Sequence, residues 1–393
     1  MSESRSLRGE LIGRPFIASV VRDAKRDDKD NCAFIVSDYL IPTGYRAYIL
    51  PDIYPSEYAN NIVAHCPNAS VLYGVAGLDT LQNYDVIEVN DYGIIHIVYC
   101  DASTDNVLFI TNKCNSNCIM CPDAESNRRR NLGDRVTYLK RLIELIPSDT
   151  PHLTITGGEP TLLKWDFIEL LKTCRDKFHN TEILMLSNGR SFCVKEYREA
   201  FLNAVPNYFR LAVPLYADNA LEHDAITQSK GSFDQTVGAL KILQDHLDLE
   251  LRIVVMDVNY RNLPQIATFI AKEFPRVKWV SIMAMELLGN AAINRDHLWI
   301  DYIDTVEFVE KAAYQLLSVG ISASIYNYPL CGLPRGLWSI AAQSITDYKV
   351  RYKPECDECA VKHLCGGFFF STIRYEKVHA YPIKKESDYG SQK

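Results

Sequence analysis

The segment that most constrains this chain is TNKCNSNCIMCP, residues 111–122. It sets Cys114, Cys118 and Cys121 at Cys-x3-Cys-x2-Cys spacing in an Asn-rich loop. The loop directly follows an apolar run, residues 107–110, that reads as a buried strand. Three thiolates on a short, tightly turning loop can hold three irons of a cubane iron–sulfur cluster and leave the fourth iron without a protein ligand. An open iron can take up a substrate or cofactor, as an open zinc position does. Two other readings stand beside this one: a zinc site awaiting a fourth ligand, and chance proximity in a chain with 12 cysteines. Zinc favours paired Cys-x2-Cys elements, for which the x3 gap is unusual. A disulfide would need an oxidising compartment, and nothing in the sequence points to one.

A second motif follows in LTITGGEP, residues 153–160, which reads as a strand running into a glycine turn that ends in a carboxylate. Gly157 and Gly158 would let a ligand approach the backbone, and Glu159 could accept a hydrogen bond from an ammonium group. Alone, this is an ordinary strand-to-helix turn. Beside a cysteine loop on the preceding strand, it reads as part of a site.

Composition narrows the class. With 393 residues the chain has room for two or three domains, and 47% apolar with 23% charged residues is ordinary for a globular protein. A net charge of −7 argues against a nucleic-acid partner held by a basic face. The run Arg128, Arg129, Arg130 reads as a solvated turn. There is no apolar run long enough to span a membrane and no signal-peptide core, so a cytoplasmic protein without a membrane partner is expected. Cysteines in that setting point to metal or clusters, although Cys32, Cys66 and Cys100 stand apart and read as buried hydrophobes.

Residues 1–103 read as a mainly β domain, closed by a hairpin at 85–99 around an Asn-Asp-Tyr-Gly turn. Residues 104–320 alternate strands with helical patterns. The strands are expected at 107–110, 153–156, 182–186, 208–213, 249–256 and 277–284. Six such units give an α/β fold, a partial (β/α)6 barrel with parallel strands and right-handed crossovers. Chemistry in such barrels sits on loops at the C-terminal strand ends, so the cysteine loop and the Gly-Gly-Glu turn open onto one face. At the third strand end, Ser187 and Asn188 could bind a ribose or simply form the Asn-Gly turn. His223 reads as structural, and Ser232 as the N-cap of the helix that follows.

Residues 321–393 form a cysteine-rich extension. Cys356, Cys359 and Cys365 lie at Cys-x2-Cys-x5-Cys spacing, with Cys331 upstream. Four cysteines can close a site, and either zinc or an iron–sulfur cluster would fit.

The cysteine loop and Gly-Gly-Glu turn resemble the radical S-adenosylmethionine (SAM) enzymes. The resemblance implies a [4Fe-4S] cluster on Cys114, Cys118 and Cys121. Its open iron would chelate SAM, with Gly157, Gly158 and Glu159 around the SAM amino group. Reductive cleavage would yield a 5′-deoxyadenosyl radical that abstracts hydrogen. Met120 stands where the family usually has an aromatic residue and is expected against the adenine. Arg252 and Glu286 occupy further positions that the resemblance turns toward the cofactor. The C-terminal motif resembles the auxiliary-cluster extensions of peptide-modifying members. Phe369 replaces a cysteine of their fuller form, which implies one auxiliary [4Fe-4S] cluster on Cys331, Cys356, Cys359 and Cys365. Across residues 106–370 the chain looks like the His-Xaa-Ser system radical SAM maturases, C component. That likeness implies a precursor peptide with His-Xaa-Ser repeats as substrate, and a second radical SAM maturase and a small accessory protein as partners. A radical enzyme acting on a small molecule, and a non-catalytic cluster-bearing subunit, are the alternatives.

Overall fold

Two β-sheets, each built on parallel strands, organise the chain. The computed structural model describes residues 7–23, 28–37, 41–123, 125–343, 350–375 and 377–384. The first sheet contains β1 (Glu10–Ile12), β2 (Phe16–Val21), β3 (Cys32–Ile35), β4 (Ala47–Pro51), β5 (Ser70–Val75), β6 (Val86–Val89) and β7 (Ile95–Tyr99). Their order is β1-β5-β4-β3-β2-β6-β7. The central strands β2 to β5 pair in parallel, while β1, β6 and β7 pair antiparallel at the two sides. Parallel neighbours need crossover connections, and the helix Ser56–His65 supplies the one between β4 and β5. Alternate side chains bury both faces. Ala18, Val20, Ile35, Ile49 and Leu72 form one core. Phe34, Tyr48, Leu50 and Val71 pack on the other face with Ile62 of the helix. The expected hairpin is β6–β7.

The second sheet contains β8 (Val107–Phe109), β9 (His152–Thr156), β10 (Glu182–Leu186), β11 (Phe209–Pro214), β12 (Asp248–Val255), β13 (Trp279–Ala284), β14 (Ser322–Tyr326) and β15 (Ala341–Ala342). All its strands are parallel and lie in chain order, β8 at one edge and β15 at the other. The six strands expected from the sequence are β8 to β13. The sheet then continues through β14 and β15, beyond residue 320, into the segment assigned to the extension. Ser322–Tyr326 alternates small polar with apolar residues, a weak strand signal. The 17-residue helix Tyr302–Ser318 that precedes it completes one more β/α unit. A two-stranded pair, β16 (Val350–Arg351) with β17 (Phe368–Phe369), lies in the extension.

One face of the second sheet packs under helices. Leu153 and Ile155, Ile183 and Met185, Leu211 and Val213, and Leu249, Leu251 and Ile253 are all buried in the main core. The alternate residues Thr154, Leu184, Arg210, Arg252 and Tyr326 line one shared cavity, so the sheet curls around a lumen. Local caps fix the helices. Asp134 accepts a hydrogen bond from Thr137 N at 3.1 Å ahead of Arg135–Leu145, and Asp301 accepts one from Ile303 N at 3.2 Å ahead of Tyr302–Ser318. The two sheets are joined by buried contacts: Tyr138 Oη donates to Glu88 Oε2 at 3.1 Å, and Tyr99 Oη is hydrogen-bonded to Thr150 Oγ1. No described helix is long and apolar enough to cross a membrane.

Candidate radical SAM site

The cysteine loop leaves β8 and is held from several sides. Ile110 N donates to Thr156 O at 2.7 Å, so the loop starts in register with β9. The glycine turn then closes on it: Gly158 N donates to Thr111 O and Glu159 N to Lys113 O, both at 2.7 Å. This contact requires glycine. A Cβ at Gly157 would overlap the Thr111 carbonyl, and one at Gly158 the Lys113 carbonyl. The loop after β13 seals the other side. Asn290 N donates to Cys121 O at 2.8 Å, its Nδ2 to Cys118 O at 3.0 Å, and Asn294 Nδ2 to Ile119 O at 2.8 Å. Gly289, at φ +56°, has no room for a Cβ beside the Pro122 carbonyl. Asn117 N and Ile119 N donate to Thr227 O and Ile226 O at 3.0 Å each.

Two arginines brace the loop. Arg190 Nη1 donates to Asn115 O at 2.6 Å and to Ser116 Oγ at 3.1 Å. Arg128 Nη1 donates to Ser116 O at 2.6 Å. Its buried Nε has no nitrogen or oxygen acceptor, and the guanidinium faces Cys121, Cys114 and Cys118. Arg128 is therefore not the solvated turn residue the sequence implied. Arg190 was missed too, and its signal was its place right after the Asn188-Gly189 turn at a strand end.

Burial pushes the Cys118 thiol up to about 12, aided by the neighbouring Cys121 and Cys114. Cys114 is raised for the same first reason. A metal must displace those protons, which couples binding to pH. Three cysteines on one pinned loop, with the half-buried Arg128 guanidinium beside them, fit an anionic cluster held by three thiolates. Among the described residues, no group of three or more His, Cys, Asp or Glu side chains stands where it could hold a metal ion.

Glu159 is fully buried. Its Oε1 accepts from Thr161 N at 3.1 Å, Thr161 Oγ1 at 2.6 Å and Ser187 Oγ at 2.9 Å; its Oε2 accepts from Asn188 N at 2.7 Å. Burial raises its pKa, and these donors act in the opposite direction without reversing it. Glu159 thus clamps the ends of β9 and β10 together. The Gly157 and Gly158 carbonyls, by contrast, take no hydrogen bond among the described residues and are the open acceptors of this turn. Ser187 Oγ is spent on Glu159, and Asn188 Nδ2 donates to Asn115 Oδ1 at 2.6 Å. Met120 is buried in the main core. Arg252 is bound to Glu250 inside the lumen, Nε to Oε1 at 2.7 Å, toward the N-terminal end of its own strand. Glu286 follows β13 and accepts from Ser371 Oγ at 3.2 Å.

His223 Nδ1 accepts from Tyr216 N at 3.3 Å, and burial lowers its pKa to about 4. Asp224 rather than Ser232 caps the next helix: its Oδ1 accepts from Phe233 N at 2.9 Å and from Ser232 Oγ at 2.8 Å. A histidine depressed from 6.5 to about 4 contributes stability that is complete above pH 6.5 and is lost as pH falls toward 4. Between pH 8 and pH 5 the expected loss is about 2 kcal/mol. Urea unfolding of the apo chain should show this pH dependence, and His223→Gln should remove it. Equal slopes in both proteins would contradict a neutral buried His223.

The extension gathers its four cysteines. Cys365 Sγ accepts from Leu330 N and Gly367 N at 3.3 Å each, and Cys331 Sγ accepts from Tyr381 N at 3.5 Å. Burial raises Cys331 to about 12, with Cys365, Cys356 and Cys359 close enough to add to it. Cys331 follows β14, so this group also lies beyond a C-terminal strand end. Of the remaining cysteines, Cys32 is buried as expected, Cys66 and Cys100 are only half-buried, Cys174 is buried and Cys193 is exposed.

A curled parallel sheet with a pinned three-cysteine loop after its first strand defines a class, and the family comparison agrees. Residues 108–270 match the model of the Radical SAM superfamily. Over those residues the chain is similar to radical SAM enzymes, a superfamily that implies a [4Fe-4S] cluster and SAM. Among individual proteins, the chain is similar to the antilisterial bacteriocin subtilosin biosynthesis protein AlbA of Bacillus subtilis (strain 168). The two are 27% identical over 175 residues, covering 43% of this chain and 38% of AlbA. Among solved structures it is similar to Streptococcus suis SuiB bound to precursor peptide SuiA, at 12% identity and TM-score 0.45, covering 57% of this chain and 49% of that one. It is also similar to anSMEcpe with bound AdoMet and Cp18Cys peptide, at 18% identity and TM-score 0.43, covering 57% and 62%. The match thus spans less than half the length of the curated relative.

Proposed function

We propose that this chain is a radical SAM peptide maturase. Its substrate on this reading is a ribosomally made precursor with His-Xaa-Ser repeats, and it works with a second radical SAM maturase and a small accessory protein. The observation that carries the reading is the closure of Gly157 and Gly158 onto the loop of Cys114, Cys118 and Cys121, with Arg128 Nε left unpaired beside the thiols. When bound, the cluster and SAM supply reductive cleavage of SAM and hydrogen abstraction. The chain's own groups do the rest. Arg128 offsets negative charge at the loop. The Gly157 and Gly158 carbonyls would accept from the SAM amino group, in a turn that Glu159 holds rigid. Ser187 and Asn188 shape the third strand end where the ribose would lie, and Met120 and Glu286 would flank the adenine. Similarity to AlbA, a bacteriocin biosynthesis protein, and to SuiB, solved with a precursor peptide, supports a peptide substrate.

Cys331, Cys356, Cys359 and Cys365 hold one auxiliary [4Fe-4S] cluster on this reading. Cys331 lies close enough to Cys365, Cys356 and Cys359 for one group to be held by all four, and the x5 gap between Cys359 and Cys365 favours iron–sulfur over zinc. The anaerobically purified chain should contain about eight irons, in two four-iron clusters. About four irons with one zinc would replace the auxiliary cluster by a zinc site.

The first sheet, in residues 1–103, is the docking domain for precursor or partner in this account, because strand edges take up extended peptides. Hydrogen exchange on the full chain with and without precursor should show added protection there. Protection confined to residues 104–384 would leave that domain a packing role.

A further inference from the structure

The lumen holds a charged group that the cofactor reading leaves unused. A cavity of about 1050 Å³ opens at the N-terminal strand ends, away from the cysteine loop. Its wall centres on Glu250, whose side chain is only 5% exposed. Glu250 Oε1 accepts from Arg252 Nε at 2.7 Å and from Ser281 Oγ at 2.8 Å, and its Oε2 lies 3.9 Å from Arg210 Nη1. Two guanidiniums share the Glu250 carboxylate, a local excess of one positive charge within this group of three. Further out on the same wall Arg276 pairs with Asp245 at 2.9 Å and Lys278 with Asp248 at 2.5 Å, His152 lies 3.3 Å from Glu182, and Asp105 adds another carboxylate.

The surplus charge is also under-bonded. Arg252 uses only Nε, and its terminal amines carry no hydrogen bond among the described residues. Arg210 makes no hydrogen bond among them and lies 3.8 Å from the centroid of the Trp279 ring. Stacking and the Glu250 contact hold both guanidiniums in place. Fixed forks with open donors are preorganised for a planar oxyanion, which loses little entropy on docking.

We propose that Arg210 and Arg252 bind a carboxylate of the modified peptide, an Asp or Glu side chain or the C-terminus, and so anchor it in the lumen. This rests on the peptide reading above. Two open guanidinium forks beside an indole suit a single carboxylate on an otherwise neutral segment, since the carboxylates further out on the wall disfavour a second negative charge.

The test uses the full, cluster-reconstituted chain and tryptophan fluorescence, with Trp279→Phe identifying the reporting indole. Three probes separate the sources: Ac-Gly-Ala-Asp-Ala-Gly-NH2, its Asn counterpart with an amidated end, and that Asn peptide with a free C-terminus. At least one of the two acidic probes should bind about tenfold more tightly than the neutral one, as expected for a charge-assisted pair. Whichever binds tighter names the source. Arg210→Gln should abolish the advantage, and it leaves Glu250 paired with Arg252, so folding is spared. Arg210→Lys should restore part of it. Equal binding of all probes, no binding of any, or an advantage that survives Arg210→Gln would overturn the proposal. SAM cleavage measured on the same preparation reports separately on the radical site.

Discussion

Cys118→Ala should lower iron from about eight to about four atoms per chain and take 5′-deoxyadenosine formation to background, while the C-terminal iron stays. Burial pushes the Cys118 thiol up to about 12, so as a free side chain it is a neutral thiol. It becomes a ligand only by giving its proton up to metal. No nearby side chain can replace it, since Asn117 and Asn290 are spent on the loop backbone and on each other. The substitution removes one sulfur at the edge of the main core, so the fold should survive with a loss of about 1 kcal/mol. Iron analysis, the cluster's absorbance and product chromatography together check it. Retained SAM cleavage would mean that the radical site lies elsewhere.

Gly158→Val should cost at least about a hundredfold in SAM cleavage, near 3 kcal/mol in the barrier, with iron at the loop reduced as well. The added side chain meets the carbonyls of Lys113 and Asn112, which belong to the cysteine loop itself. Relief requires the β9 turn to move off the loop, which breaks the bonds from Gly158 N to Thr111 O and from Glu159 N to Lys113 O. Gly133→Val serves as the control, because a Cβ there meets nothing within 4 Å, although its positive φ adds local strain. Wild-type cleavage rates in Gly158→Val would show that the turn does not shape the cofactor site.

The sequence made the strand count and the shared face of the two motifs legible, because β8 to β13 are written as short, largely apolar runs separated by helical patterns. It understated the sheet because β14 reads Ser-Ala-Ser-Ile-Tyr, and its pairing is set by the helix Tyr302–Ser318 behind it. Residue types at the site were legible, but their division of labour was not. A Gly-Gly-Glu string does not say that the carboxylate turns inward, onto Thr161, Ser187 and Asn188, while the glycine carbonyls stay open. That outcome depends on four donors converging from two strands. Likewise, Arg128 in a triple-arginine run looks solvated until the fold brings it back over Ser116. Arg252 shows the same limit: its strand position was readable, but its bond to Glu250 follows from the i, i+2 alternation that sends both side chains into the lumen.

The central claim is that the loop of Cys114, Cys118 and Cys121 is a working radical SAM centre. The most direct measurement is anaerobic incubation of the reconstituted chain with SAM and dithionite, with 5′-deoxyadenosine and methionine quantified over time. The account expects both products in equal amounts, at least slowly without peptide, and none from Cys118→Ala. A fully reconstituted chain, with its clusters reduced, that leaves SAM intact would contradict it.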